Sequence, residues 1–245
     1  MKKLFGFLAL GVFSISNVTV AMAQEAEKVE ESAPSITQLI KQKFIEGGPE
    51  FMALVLICLI LGLALAIERI IYLNLATTNT DKLLEEVEEA LNTGGIEAAK
   101  EVCRNTRGPV ASIFYQGLER SSEGIDMAEK AVVAYGSVQM GLLEKGLSWI
   151  GLFIALAPML GFMGTVIGMI QTFDKIQSAQ GEVNPSDLAG GIKVALITTV
   201  SGLVVAIILQ IFYNYIVSKI DSLVNQMEDA SISLIDLLVK YGMKK

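Results

Sequence analysis

Three stretches of this chain are long and apolar enough to cross a bilayer, and they leave little choice of fold. They are roughly Phe51–Leu73 ("FMALVLICLILGLALAIERIIYL"), Trp149–Phe173 and Leu188–Tyr213. A membrane-spanning helix needs about 20 such residues. Hydrophobic residues make up 52% of the sequence and charged ones 18%, the latter below the roughly 25% of soluble domains. An all-α integral membrane protein with one modest polar region is expected.

The ends set a direction. Lys2 and Lys3 precede an apolar run, Leu4–Phe13, and Ala21-Met22-Ala23 supplies a small-x-small cleavage signal. Residues 1–23 therefore read as a signal peptide. The alternative is an uncleaved first helix, but Ser14, Ser16 and Asn17 interrupt it too early. The expected order is then a periplasmic arm (24–50), a first span (51–75), a cytoplasmic helical region (76–148), a second span (149–173), a periplasmic loop (174–187), a third span (188–213) and a cytoplasmic C-terminal helix (214–245). Basic residues agree with that topology: seven lie in 76–147 and four in the C-terminal tail, but only Lys175 in the loop.

Within the cytoplasmic region, Thr80 is a plausible N-cap for a helix stopped at Gly94-Gly95. A second short helix ends before Pro109, and "PVASIFYQGLER" begins a third with proline in its first turn. From Ile125 the helical pattern runs on toward Pro158, predicting one helix of about 45 residues, or ~70 Å. Beyond Tyr213, apolar residues recur at Ile216, Ile220, Leu223, Met227, Leu234 and Leu238, which extends the third span as a helix. Two long helices projecting from the membrane point to self-association.

Several functions are excluded. The chain has no histidine and a net charge of −7, so histidine relays, histidine-bound zinc and Ser-His catalysis are absent, and nucleic-acid binding has no basic patch. No cofactor is expected. Cys58 lies in a span and Cys103 in the polar region, too far apart to form a disulfide.

The spans carry unusual polar content. In the second, Pro158, Gly161, Thr165 and Gly168 follow one another at helical steps, with Gly164 close by. In the third, Gly191, Ala195, Thr198 or Thr199, Gly202 and Ala206 do the same. Small residues let helix backbones approach closely. The threonines have two readings at this point: hydroxyls that bond back one turn and only pack, or a polar wall along a pathway. Between Trp149 and Phe173, and between Val194 and Tyr213, there is no ionisable residue. If protons cross here, the titrating group comes from another chain.

The segments "LALAIERIIYLNL" (63–75), "LAPMLGFMGTVIGMIQTF" (156–173) and "ALITTVSGLVVAIILQIFYNY" (195–215) resemble the ExbB/TolQ/MotA proton-channel family, over roughly 47–225. Three spans place the likeness nearest the ExbB and TolQ branch. The resemblance implies a ring-like homo-oligomer, a pentamer, whose second and third spans line a pore. It further implies a single-span ExbD- or TolR-like partner supplying an intramembrane aspartate, a TonB-like protein that carries the work onward, and surrounding membrane lipids. By position, Thr165 and Thr199 match pore-facing threonines, and the adjacent Thr198 falls where small residues are common. Pro158 matches the family's second-span proline, with Gly161, Gly164, Gly168 and Gly202 as packing residues, and Glu68, Arg69 and Glu144 match cytoplasmic-side charges. Two positions depart from the pattern: Val194 stands where many ExbB-like proteins have glutamate, and Ile208 where they have proline. The expected function is a proton-channel subunit of an inner-membrane motor. A non-conducting scaffold is the main alternative, a solute transporter is weaker, and an enzyme is weakest.

Overall fold

The computed structural model describes residues 35–178 and 185–243. The signal-peptide reading, the arm before Ser35 and the middle of the 174–187 loop lie outside the described residues.

Among the described residues there are seven α-helices and no strand. Helix α1 (Ile36–Glu46) is opened by a capping box in which the Ser35 hydroxyl and the Gln38 side chain each accept from the other's backbone N–H. Gly47 and Gly48 turn the chain, Gly48 at φ 78°, into α2 (Pro49–Ala76), with proline at its start. Helix α3 (Thr80–Asn105) is capped by the Asn79 side chain, which accepts from the Lys82 N–H, one residue before the expected cap. Its helical path breaks at Gly95 (φ 74°, ψ −165°), at the expected Gly94-Gly95 stop. Helix α4 (Pro109–Arg120) and a short 3-10 turn lead to α5 (Ile125–Leu143), followed by α6 (Leu147–Ser178) and α7 (Pro185–Met243).

One expectation fails. The chain from Ile125 is not a single helix into the second span but breaks between α5 and α6. Gly146 takes φ 85°, a left-handed setting that glycine reaches at no steric cost. Arg69, reaching over from α2, donates from Nη1 to the Leu142 carbonyl (3.4 Å) at the end of α5. A cation there also complements the negative end of the helix dipole. The other long helix is continuous: α7 runs 59 residues, or about 90 Å at 1.5 Å per residue.

The three helices long and apolar enough to cross a membrane contain the three expected stretches. Less than a third of each apolar window is buried, so large faces remain for lipid or for other chains. Most of the main core lies outside the spans, where α3, α4, α5 and the second half of α7 enclose Phe114, Ile113, Leu118, Leu83 and Leu234, and it reaches Ala66, Leu73 and Ile150 at the span ends. A smaller one (Val55, Cys58, Ala157, Val205, Leu209) holds α2 against α6 and α7.

Helices α6 and α7 meet backbone to backbone. A Cβ on Gly202 would lie 2.5 Å from the Ala157 carbonyl oxygen, and one on Gly161 would lie 2.9 Å from the Thr198 carbonyl oxygen. Neither partner is a flexible side chain, so the helices themselves would have to move apart. Gly202→Ala is expected to destabilise the protein by about 1–3 kcal/mol through overpacking, read by thermal unfolding in detergent. An unchanged midpoint would mean that the crossing is loose.

Both cysteines are free and buried. Burial pushes the Cys103 thiol up to about 12, which disfavours the reactive thiolate in the folded state and favours it on unfolding. Alkylation of Cys103 should therefore stay slow from neutral pH until close to that value, and become fast at neutral to mildly basic pH once the bundle is denatured. Rapid labelling of native protein at mildly basic pH would contradict the packing around it.

Candidate functional site

The glycine crossing places two threonines side by side. One turn along from Gly161 on α6, Thr165 meets Thr199 of α7, and their hydroxyl oxygens are in direct hydrogen-bond contact. Thr165 Oγ1 also lies 2.8 Å from the Ala195 carbonyl oxygen and 3.3 Å from that of Gly161. Thr199 Oγ1 lies 3.3 Å from the same Gly161 carbonyl. Each hydroxyl carries one proton and can accept as well as donate, so two protons are shared among the two hydroxyl oxygens and the two carbonyls. Such a pair can turn a donor or an acceptor toward a water or an acid without itself ionising. Both side chains are half-buried.

The glycines shape this contact from above and below. Gly164 faces Thr198 and Phe51, where an added Cβ would meet the Thr198 methyl at 2.7 Å. Gly168 faces Ala195 in ordinary van der Waals contact. Pro158 lies inside α6, one turn before Gly161, and withdraws one N–H from the helical ladder. The neighbouring Ala157 carbonyl is the group that touches Gly202.

Thr198 does not join the pair. It is 2% exposed and faces the other way, donating to the Gly47 carbonyl (2.9 Å) or to Val194 one turn back (2.9 Å). It thus stands apart from the Thr165–Thr199 pair, at the bottom of a cleft formed by the Gly47–Phe51 turn, Gly164 and Gly168 of α6 and Val194. The physical reason is helical pitch: consecutive residues point about 100° apart, so adjacent threonines cannot share a narrow face. Thr172 is likewise buried, and returns its hydroxyl to the Gly168 carbonyl at 2.8 Å.

The charges expected at the polar end of the spans separate into two groups. Arg69, 8% exposed, forks onto Glu68 (2.7 and 2.8 Å) and lies over the Tyr72 ring at 4.8 Å. Such a bidentate pair fixes geometry as well as charge. Glu144 stands exposed in the α5–α6 break, where its carbonyl accepts from the Leu147 N–H (3.1 Å). Arg69 is thus paired with Glu68 and not with Glu144.

At the opposite end of the spans is a constellation whose long-range member, Lys193, carries no local sequence signal. Glu46, at the end of α1, receives Lys193 of α7 (3.1 Å) together with Lys43 and Gln42 (2.8 Å each). These donors, Lys43 first, then Gln42 and Lys193, hold the Glu46 carboxyl down at about 2. It stays charged at any ordinary pH.

Comparison with known proteins agrees with this architecture. Residues 105–229 match the family described as the MotA/TolQ/ExbB proton channel family, a segment that contains α4, α5, α6 and much of α7. The chain is 36% identical over 171 residues to an ExbB homologue of Methanothermobacter thermautotrophicus, named for biopolymer transport, covering 69% of this chain and 60% of that protein. A biopolymer transport protein of the ExbB type from Vibrio cholerae is 27% identical over 179 residues, covering 71% of this chain and 75% of its own. An ExbB-like protein of Synechocystis is 29% identical over 158 residues, covering 63% and 74%. With the matched family segment taking in both glycine-lined helices and the paired threonines, the chain belongs to the MotA/TolQ/ExbB proton channel family.

Proposed function

We propose that this chain is a proton-channel, stator-like subunit of an inner-membrane motor that converts proton-motive force into mechanical work on a TonB- or TolA-like protein, for transport at the outer membrane. The observation that carries the reading is the Thr165–Thr199 hydroxyl pair, set between two spans with no Asp, Glu, Lys, Arg or His from 149 to 173 or from 194 to 213. Such a wall can solvate an acid but cannot be one.

The acid then belongs to a partner, a single-span ExbD- or TolR-like protein with an aspartate at the depth of the pair. Protonated, that carboxyl donates to a threonine oxygen; ionised, it accepts a threonine O–H. The same two hydroxyls therefore serve both states, which suits a site that loads and unloads a proton. One charge falling through 100 mV releases about 2.3 kcal/mol, so several protons per cycle supply substantial work. No carboxylate at residue 194 takes part, since this chain has valine there.

In this reading the N-terminus is periplasmic and the C-terminus cytoplasmic, as the distribution of basic residues supports. The α3–α5 bundle then lies in the cytoplasm. Subunits close into a ring, a pentamer by family resemblance. Support comes from apolar side chains left bare on the bundle itself, Val133, Val138 and Ile232 among them, which lipid would not cover.

One observation favours the scaffold reading. Both hydroxyls also reach carbonyls of their own chain, as packing threonines do. Thr199→Val, which keeps shape and removes the hydroxyl, decides between them. The complex is taken from its native membrane into liposomes and driven by an imposed potential, and proton uptake is followed with a pH dye. Uptake should be abolished while ring assembly is unchanged. Wild-type uptake by this variant would sink the proton-wall reading and leave the scaffold.

A further inference from the structure

Thr198 is a polar residue of the third span that stands outside the Thr165–Thr199 pair, and its surroundings are specific. Its hydroxyl reaches across 151 positions of sequence to the Gly47 carbonyl at 2.9 Å, with the Val194 carbonyl one turn back as the other acceptor at 2.9 Å. Gly47 caps the end of α1, where helical carbonyls lack a partner in their own helix. The fit is close on every side. A Cβ on Gly47 would lie 3.0 Å from Ile197 Cγ2 and from Met52, and the Thr198 methyl packs on Gly164 of α6.

The preceding residue, Glu46, holds Lys193 of the same helix α7 at 3.1 Å. Two consecutive residues at the end of α1 thus grip α7 at positions about 140° apart around its axis. A helix held at one point can still roll; one held at two such points resists both roll and slide. Thr199 follows Thr198 on that helix, and its hydroxyl lies about 5 Å from the axis. A roll of about 20° would carry it through about 1.7 Å, enough to break a contact limited to hydrogen-bond length.

We propose that Thr198 is a positioning residue: its hydrogen bond to Gly47, steadied by the Glu46–Lys193 ion pair, fixes the roll of α7 from the α1–α2 turn and thereby holds Thr199 against Thr165. The functional weight of this clamp rests on the proton-wall reading; its geometry does not. It also gives the segment outside the span a mechanical route to the wall, because any load that shifts α1 shifts the roll of α7.

The test uses the full chain in its native membrane, carrying Thr165→Cys and Thr199→Cys. The two hydroxyls touch, so the two sulfurs that replace them fall within reach of a disulfide. Formation of that intrachain bond under mild oxidation is timed by mass spectrometry of the joined peptides. Thr198→Val should slow it by about tenfold or more, since a misplacement of an ångström between fixed reacting groups can cost about a hundredfold. Thr198→Ser, which keeps the hydroxyl, should restore the rate, and Glu46→Gln should slow it to a lesser degree. An unchanged rate in Thr198→Val, or a serine no better than valine, overturns the inference. If the valine variant does not assemble, Glu46→Gln decides alone: slowing supports the clamp, and a wild-type rate refutes it. Crosslinking reports geometry whether or not the wall conducts. If Thr199→Val conducts normally while the crosslink obeys these rules, the proton-wall reading fails and the clamp stands.

Discussion

The backbone contact between α6 and α7 is the constraint from which the rest of the structure follows. Gly161 and Gly202 leave no room for a methyl group, and the Ala157 and Thr198 carbonyls occupy the space. In a bilayer this closeness has to come from van der Waals fit, since lipid tails offer helices no hydrophobic reason to associate. Once the helices touch there, Thr165 and Thr199 must meet one turn further on. With a larger residue at either glycine, the hydroxyls would stand apart and each would simply return its bond to its own helix.

Outside the span the energetic logic changes. The α3–α5 bundle has an ordinary apolar core centred on fully buried Phe114, and α7 contributes Ile216, Leu234 and Leu238 to it. One 59-residue helix therefore belongs both to a water-driven core and to the lipid-embedded crossing. The second span is treated differently. Gly146 and Arg69 separate α5 from α6, so the bundle and the span need not share one axis on that side. A continuous helix and a broken one thus lie side by side in the subunit.

Much of this was legible in the sequence, for physical reasons. Apolar runs near the thickness of a bilayer announce helices, and Pro109 marks the start of α4 because proline tolerates a first turn. The lack of Asp, Glu, Lys, Arg and His from 149 to 173 and from 194 to 213 already meant that, if protons cross there, the titrating group comes from another chain. Other features were not legible. Gly146 follows the charged pair Glu144-Lys145 with no proline to mark a stop, and its positive φ is what shows that the chain turns there. Thr198 and Thr199 are indistinguishable as letters, yet helical pitch sends one to Gly47 and the other to Thr165. The Glu46–Lys193 pair joins residues far apart in the chain, and neither carries a local pattern that names its partner.

A neutral, hydroxylated wall works only with an acid borne by another protein. The most direct test is to extract this chain gently from its native membrane and identify by mass spectrometry what accompanies it. The account predicts a short single-span protein with an aspartate inside its span, crosslinkable to the neighbourhood of Thr165 and Thr199. A homo-oligomer with no such companion, even after crosslinking, would leave a wall with nothing to protonate and would contradict the account.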